Sequence, residues 1–302
     1  MEIYFAPMEG LTDSVYRRLH HQYFGGVDKY VMPFLSPTMH HSLTQKEIRE
    51  LPKVGEETFF AIPQILTKNP EDFLWAAEQC RQLGYGEVNL NLGCPSGTVV
   101  AKGKGAGMLA DPDGLAKFLD RIFEKSPLPI SVKTRLGIAR AEEFPKLLAL
   151  FNQYPISCLT VHPRVRSQFY DGSVDMEMFR YAYENTALKL CYNGDITTLR
   201  QVQEIQETFP RLHGVMIGRG LLADPGMLCP QGTTVEILEA FTRELLETYL
   251  VRFGGSRNAM FRMKEHWSFL HKRFPGTEDL WKKLRKTTDL EEYRRITALF
   301  FA

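Results

Sequence analysis

Val215-Met216-Ile217-Gly218-Arg219-Gly220 is an apolar run that ends in a glycine turn. A short apolar run bounded by glycine reads as a strand buried on both faces. The pattern recurs along the chain, and the strand candidates are residues 3–6, 29–33, 59–65, 87–92, 130–134, 158–162, 190–193 and 215–217. Most are continuous rather than alternating. Stretches such as 72–83, 113–125 and 142–152 lie between them and read as amphipathic helices, with Asp72 and Asp113 as candidate N-caps. Strands alternating with helices predict an α/β fold, a (β/α)8 TIM barrel. A doubly wound open sheet is the alternative.

The alternation stops after about Asp224, where Pro225, Gly226, Pro230 and Gly232 mark a linker. Beyond it, Ile237, Phe241, Leu245 and Tyr249 fall at helical spacing, as do Met260, Met263, Trp267, Leu270 and Phe274. Residues 1–232 are expected to form the barrel and 233–302 a small all-helical C-terminal domain. A chain of 302 residues accommodates both.

Composition excludes several classes. The chain has neither the low hydrophobicity of a disordered protein nor the glycine and proline excess of a fibrous one. No apolar run approaches the roughly 18 residues of a membrane span. Met1-Glu2 leads straight into an apolar strand with no basic segment before it, which is unlike a signal peptide, so a cytoplasmic location is expected. Cys80, Cys94, Cys158, Cys191 and Cys229 are scattered singly, which argues against a metal site and for free thiols. Nothing in the sequence requires more than a monomer. The net charge of +1 hides an asymmetry: from Arg252 onward there are twelve basic and six acidic residues, leaving about −5 on the remainder. A basic tail on a mildly acidic body suits a polyanionic partner, and equally a solvated helical surface.

Active sites of TIM barrels lie at the C-terminal strand ends. Polar residues collect at those positions here: Pro7, Met8 and Glu9 after the first strand, Gln64 in the third, Asn91 and Cys94 at the fourth, Lys133 and Arg135 in the fifth, and His162, Arg164 and Arg166 at the sixth. Asn193-Gly194-Asp195 follows the seventh and Gly218-Arg219-Gly220 the eighth. Glycine turns at these last two positions predict a phosphate site, with Arg219 adding charge or bracing an acid. Lys133 interrupts an apolar strand, so it needs either a structural counter-charge or an anionic ligand. A thiol at Cys94, in a Gly-Cys-Pro turn at the mouth of the barrel, could act as an acid, as a nucleophile, or not at all. His162 could contact a ligand or cap its strand, while Arg164 and Arg166 are expected to form a cationic rim. The glycine-rich run 97–107, carrying Lys102 and Lys104, reads as a mobile lid that could meet a phosphate backbone.

These motifs together resemble the tRNA-dihydrouridine synthases over essentially the whole chain. The matching segments are Ala6-Pro7-Met8-Glu9-Gly10 with Thr12-Asp13, Asn89-x-Asn91-x-Gly93-Cys94-Pro95, Ser131-Val132-Lys133-x-Arg135-Leu136-Gly137 and Thr160-Val161-His162-x-Arg164-x-Arg166. Asn193-Gly194-Asp195 and Met216-Ile217-Gly218-Arg219-Gly220 complete them. The tail around Arg262-Met263-Lys264-Glu265-His266-Trp267 is similar to that family's RNA-binding domain, and Pro-Met-Glu-Gly with Cys-Pro-Ser-x-Thr-Val looks most like the bacterial C-type branch.

The resemblance implies bound FMN, NADPH as reductant, and a tRNA uridine reduced to dihydrouridine. Hydride would go to uracil carbon 6, and Cys94 would protonate carbon 5. It further implies Pro7, Met8, Gln64, Lys133, His162, Asn193, Asp195, Gly218 and Arg219 around the flavin. Asn91, Lys102, Lys104, Arg135, Arg164, Arg166, Arg262 and Lys264 would face the uracil or the RNA. The chain departs from the family pattern at Thr67, Pro163 and Gly97, which bears on RNA contacts more than on the chemistry. A flavin barrel with a small-molecule substrate would leave the basic tail without a purpose. A non-catalytic RNA-binding protein would leave Cys94, Lys133 and the glycine turns without one.

Overall fold

The apolar runs form parallel strands, and a proline interrupts one of them. In the computed structural model, which describes residues 1–52, 60–229 and 232–302, the chain runs β1 (Glu2–Phe5), α1 (Ser14–Tyr23), β2 (Lys29–Val31), α2 (Gln45–Glu50), β3 (Phe60–Ile62), β4 (Gln64–Ile65) and α3 (Pro70–Gln82). It continues with β5 (Val88–Leu92), α4 (Gly97–Val100), α5 (Pro112–Lys125), β6 (Ile130–Arg135), α6 (Phe144–Phe151), β7 (Leu159–His162), α7 (Met176–Glu184), β8 (Leu190–Tyr192), α8 (Leu199–Thr208), β9 (Gly214–Ile217) and α9 (Arg219–Ala223). The sheet order is β3-β2-β1-β9-β8-β7-β6-β5-β4, and every pairing is parallel.

The two ends of that order, β3 and β4, are halves of one strand separated by Pro63. Proline has no N–H to continue a ladder. The half before it accepts at Ile62 O from Met32 N (2.9 Å), and Pro63 O accepts from Asn89 N (2.8 Å) on the other side. Leu35, just beyond β2, also bridges Ile65 of the second half (Leu35 N to Gln64 O 2.7 Å, Leu66 N to Leu35 O 2.8 Å), so the interrupted strand is paired on both sides and closes an eight-stranded barrel. The open-sheet alternative fails because no edge is left unpaired in the order. The expected strands are all present within a residue or two, although Phe59 lies outside the described residues, as does Pro230 of the linker.

The helix starts differ from the expected ones. Asn69 rather than Asp72 caps α3, accepting from Glu71 N at 2.9 Å, and Asp111 rather than Asp113 caps α5, accepting from Gly114 N at 3.0 Å. In both cases the cap precedes a proline, Pro70 or Pro112, whose fixed φ and absent N–H suit the first helical position.

After α9 come α10 (Val235–Phe253), α11 (Ser256–Leu270), α12 (Glu278–Leu284) and α13 (Leu290–Ala298). Thr234 caps α10, and Gly254 ends it in a left-handed conformation at φ 64°. Phe241, Leu245 and Tyr249 are buried as their spacing predicts, but Ile237 is exposed and Leu238 takes its place. The hydrophobic core runs without a break from the barrel into these helices. Among the described residues no helix is long and apolar enough to cross a membrane.

Polar contacts fix how the tail sits on the barrel. Asp13 caps α1 through Tyr16 N (3.0 Å) and also accepts from Tyr249 of α10 (2.9 Å). The Tyr16 ring stacks on His266 of α11, 4.7 Å between centroids. Glu50 at the end of α2 accepts from Ser14 N (2.7 Å) and pairs with Arg17 (3.4 Å) and with Arg252 of α10 (2.6 Å). Arg17 is fully buried. Removing one partner of such a set leaves an uncompensated charge in the interior. Glu50→Ala is accordingly expected to lower unfolding free energy by about 3 kcal/mol, read as a lower urea midpoint at unchanged slope.

Candidate active site

A cavity of about 500 Å³ opens at the C-terminal ends of the strands. It gathers Pro7, Met8, Gln64, Asn91, Cys94, Lys133, Arg135, His162, Asn193, Asp195, Gly218 and Arg219 from seven strand ends. Lys102, Lys104, Arg164, Arg166, Arg262 and Lys264 lie outside its walls. The gathering follows from register. Gln64 pairs with Asn89, Asn89 with Ser131, and Asn91 with Lys133, so alternate residues of neighbouring strands stack on the inner face.

Those inner residues make one directed chain of hydrogen bonds. Asn89 Nδ2 donates to Ser131 Oγ (2.9 Å), Gln64 Nε2 to Asn89 Oδ1 (2.8 Å), and Asn91 Nδ2 to Gln64 Oε1 (2.8 Å). Asn91 Oδ1 then accepts from the backbone N–H of Gly93 (3.0 Å) and of Cys94 (2.9 Å). Asn91 therefore holds the turn that carries Cys94. Arg166 Nε donates to Pro95 O (3.2 Å), and Arg135 Nε to Gly93 O (2.8 Å), on the other side of that turn.

The Cys94 thiol is half-buried, and burial raises its pKa above the ordinary value, opposed by a backbone hydrogen bond at Ser96 and by Arg135 and Lys133. At neutral pH it is a thiol, the form that can donate a proton. The glycine run beyond it is folded, where a mobile lid was expected. After α4 a 3-10 turn spans Gly105–Ala110, Ala106 N donates to Cys94 O (3.1 Å), and Met108 and Leu109 are buried. Gly105 has φ +57° and sits so close that a Cβ there would lie 3.1 Å from Cys94 Cβ. Lys102 is exposed, and Lys104 Nζ reaches Ser36 Oγ at 3.4 Å.

Lys133 has no ion pair or hydrogen bond among the described residues, so the structural counter-charge that was the alternative reading is missing there. It keeps partial exposure only as part of the cavity wall, and enclosure, reinforced by the Arg135 cation, lowers its pKa to about 7. His162 Nε2 lies 3.0 Å from Arg164 Nη1. A guanidinium only donates, so Nε2 accepts and the neutral ring carries its proton on Nδ1. Burial and the surrounding cations Lys133, Arg135, Arg164 and Arg219 keep His162 neutral well below its usual pKa.

Arg164 is a correction to the expected cationic rim. Only 1% of it is exposed, because it pairs with Asp195 and donates to Gly172 O beneath the surface. Asp195, at φ +44°, also pairs with Arg219 at 2.6 Å. Burial would raise its carboxyl, but the two arginines outweigh that and hold it below the ordinary range. Asn193 Nδ2 donates to Met216 O (2.7 Å) and ties the two glycine turns together.

Arg135 too is buried, so it meets the cavity rather than the outer surface. Arg262 lies under Gly10, where a Cβ would stand 2.8 Å from its Nη1, and pairs with Glu265 at 3.1 Å. Lys264 donates to Thr287 O and borders a second, shallower groove with Leu11, Phe261, Phe269 and Arg285. Thr67, one of the departures, serves the start of α3: its Oγ1 accepts from Asn69 N at 3.1 Å. Pro163 O accepts from Asp175 N at 2.8 Å, and Gly97 opens α4.

Several cavity residues had no signal in the sequence, four of them aromatic or charged. Tyr170 stacks on His162 (6.0 Å) and lies against the guanidinium groups of Arg135 (5.2 Å) and Arg219 (5.1 Å). Phe34 comes from the loop after β2, and Phe269 and Lys272 come from the helical tail.

The lowered pKa of Lys133 has a consequence for stability. The unfolded chain binds that proton up to about pH 10.5, the folded one only up to about 7, so the lysine penalises folding most at low pH and the penalty fades as pH rises through that window. Lys133→Met should therefore raise the melting temperature of the ligand-free protein at pH 6 to 7. The gain should vanish towards pH 10.5, as followed by thermal unfolding across pH.

A family model described as dihydrouridine synthase (Dus) matches residues 4–296. The chain is 26% identical over 317 residues to the tRNA-dihydrouridine(16) synthase of Neisseria meningitidis serogroup A, covering 99% of this chain and 94% of that protein. It is 29% identical over 312 residues to the probable tRNA-dihydrouridine synthase of Staphylococcus aureus, covering 98% and 92%. Among solved structures, morphinone reductase aligns with a TM-score of 0.52 at 10% identity over 75% of this chain and 85% of that one. A variant of NCR from Zymomonas mobilis aligns at 0.53 and 11%, over 80% and 87%. These structural likenesses bear on the barrel alone. The family match spans the barrel, the cavity and the helical tail together, and the chain belongs to the dihydrouridine synthase family, as a tRNA-dihydrouridine synthase family enzyme.

Proposed function

We propose that the chain reduces uridine to 5,6-dihydrouridine in tRNA, with FMN in the barrel mouth, NADPH as reductant and Cys94 as the acid for uracil carbon 5. The observation that carries this reading is an enclosed, unpaired Lys133 sharing one cavity with a protonated Cys94. The residues fit a flavin. Lys133 lacks a counter-charge, as a cation facing an anionic ring would, and His162 keeps an Nδ1–H to donate. Two glycine turns, Asn193-Gly194-Asp195 and Gly218-Arg219-Gly220, allow close approach of backbone N–H groups to a phosphate.

Bound flavin would supply the hydride for uracil carbon 6. Cys94 holds the proton that carbon 5 needs as negative charge gathers there, and Lys133 and Arg135 favour the thiolate left behind. Asn91 acts chiefly by holding the Cys94 turn, with its remaining N–H left for the uracil. Gln64 and Lys133 face the ring system. The uridine must leave its stack to reach a site inside a barrel mouth.

Residues 233–302 serve as the RNA-binding domain, with Lys264 bordering the groove that shares Phe269 with the cavity, and Arg262, Lys102, Lys104 and Arg166 as further cations for the RNA. Arg164 acts by bracing Asp195 rather than by touching RNA. The C-type branch is supported by Pro7-Met8-Glu9-Gly10 and Cys94-Pro95-Ser96-x-Thr98-Val99. A monomer working on tRNA in the cytoplasm completes the reading.

The protein should purify yellow, and Cys94→Ala should keep its flavin and its tRNA affinity while losing at least about 100-fold in turnover. Turnover that survives this change would move the proton source elsewhere, and a protein that takes up no FMN would sink the flavin assignment. Expression in a strain without its own dihydrouridine synthases should restore dihydrouridine to tRNA. Position 16 is the first to map, given the name of the Neisseria relative. Unmodified tRNA throughout would count against the proposal.

A further inference from the structure

We infer that Lys272, from the helical tail, binds the phosphate of the flavin and completes the cofactor site from across the chain; this rests on the flavin reading above. Charge is the first argument. At the phosphate end of the cavity Arg164 and Arg219 both spend their charge on Asp195, so the trio carries about one net positive charge. A phosphate monoester carries about −1.5 to −2 at neutral pH, so one more cation is wanted there.

Lys272 lines the same cavity as Gly218, Arg219, Gly220 and Ala223. It is exposed and makes no ion pair among the described residues; its one contact is a distant approach to the Phe269 ring, 6.0 Å from the centroid. The second argument is placement. The 3-10 turn His271–Arg273 follows α11 and packs on α9. Both neighbours of Lys272 are pinned. His271 Nδ1 bonds to Trp267 O (2.8 Å) and its ring stacks on Trp281 (4.6 Å), while Arg273 pairs with Asp224 (2.7 Å) and donates to Thr233 O (2.8 Å). The backbone at Lys272 is thus held at the cavity wall while its ammonium stays uncommitted, so binding has only the lysine side chain left to order.

The test is a comparison of FMN with riboflavin, which lacks the phosphate, on flavin-stripped full-length protein, followed by quenching of flavin fluorescence. Lys272→Gln should weaken FMN about tenfold and leave riboflavin within about twofold, and Lys272→Arg should restore most of the FMN affinity. Equal losses for both flavins, or none for either, would overturn the assignment. So would unchanged FMN binding with weakened tRNA binding, which would make Lys272 an RNA contact. If the unaltered protein binds neither flavin, the flavin reading itself fails and takes this inference with it.

Discussion

The site depends on a line of amides that runs across the inside of the barrel from Ser131 through Asn89 and Gln64 to Asn91, and ends on the backbone of Cys94. Each amide spends its donor on the next acceptor, so none can flip without leaving a buried polar group unpaired, at a cost of about 1–3 kcal/mol. Gln64 stands one residue after Pro63, accepts at its backbone carbonyl from Leu35 N (2.7 Å) on one side and pairs in register with Asn89 on the other. The pairing that closes the barrel on both sides of this strand therefore also places the amide that links Asn89 to Asn91.

Around that line the electrostatics are set by enclosure and by unequal pairing. Lys133 and Arg135 pair with no carboxylate among the described residues, whereas Arg164 and Arg219 share Asp195. Burial, with the cations Lys133, Arg135, Arg164 and Arg219 beside it, keeps His162 neutral, and Arg135 and Lys133 temper the rise in the Cys94 pKa. Such an arrangement is unfavourable for the empty fold. It suits a site that receives anionic ligands, as natural proteins accept lost stability where function needs it.

The helical tail belongs to the same architecture. Asp13, capping the first barrel helix, bonds Tyr249, and Glu50 holds one arginine from the barrel and one from α10. Buried polar contacts of this kind specify one docking geometry more than they add stability. With that geometry set, Phe269 enters the walls of both the catalytic cavity and the neighbouring groove.

The sequence alone determined the barrel, because apolar runs separated by helical stretches leave few architectures, and it pointed to a candidate site, because glycine turns and polar residues able to do chemistry cluster at the C-terminal ends of those runs. It also placed Cys94, Lys133 and the two glycine turns at strand ends, and the fold brings all of them to the wall of one cavity. It did not reveal that Arg164 is buried, that Asn91 spends its carbonyl on the Cys94 turn, or that Tyr170, Phe269 and Lys272 reach the cavity. Periodicity reports which face of an element points inward; it carries no record of which distant side chain will meet that face. Pairing of charges and the approach of the tail arise only when the chain closes on itself, and those were decided by the tertiary structure.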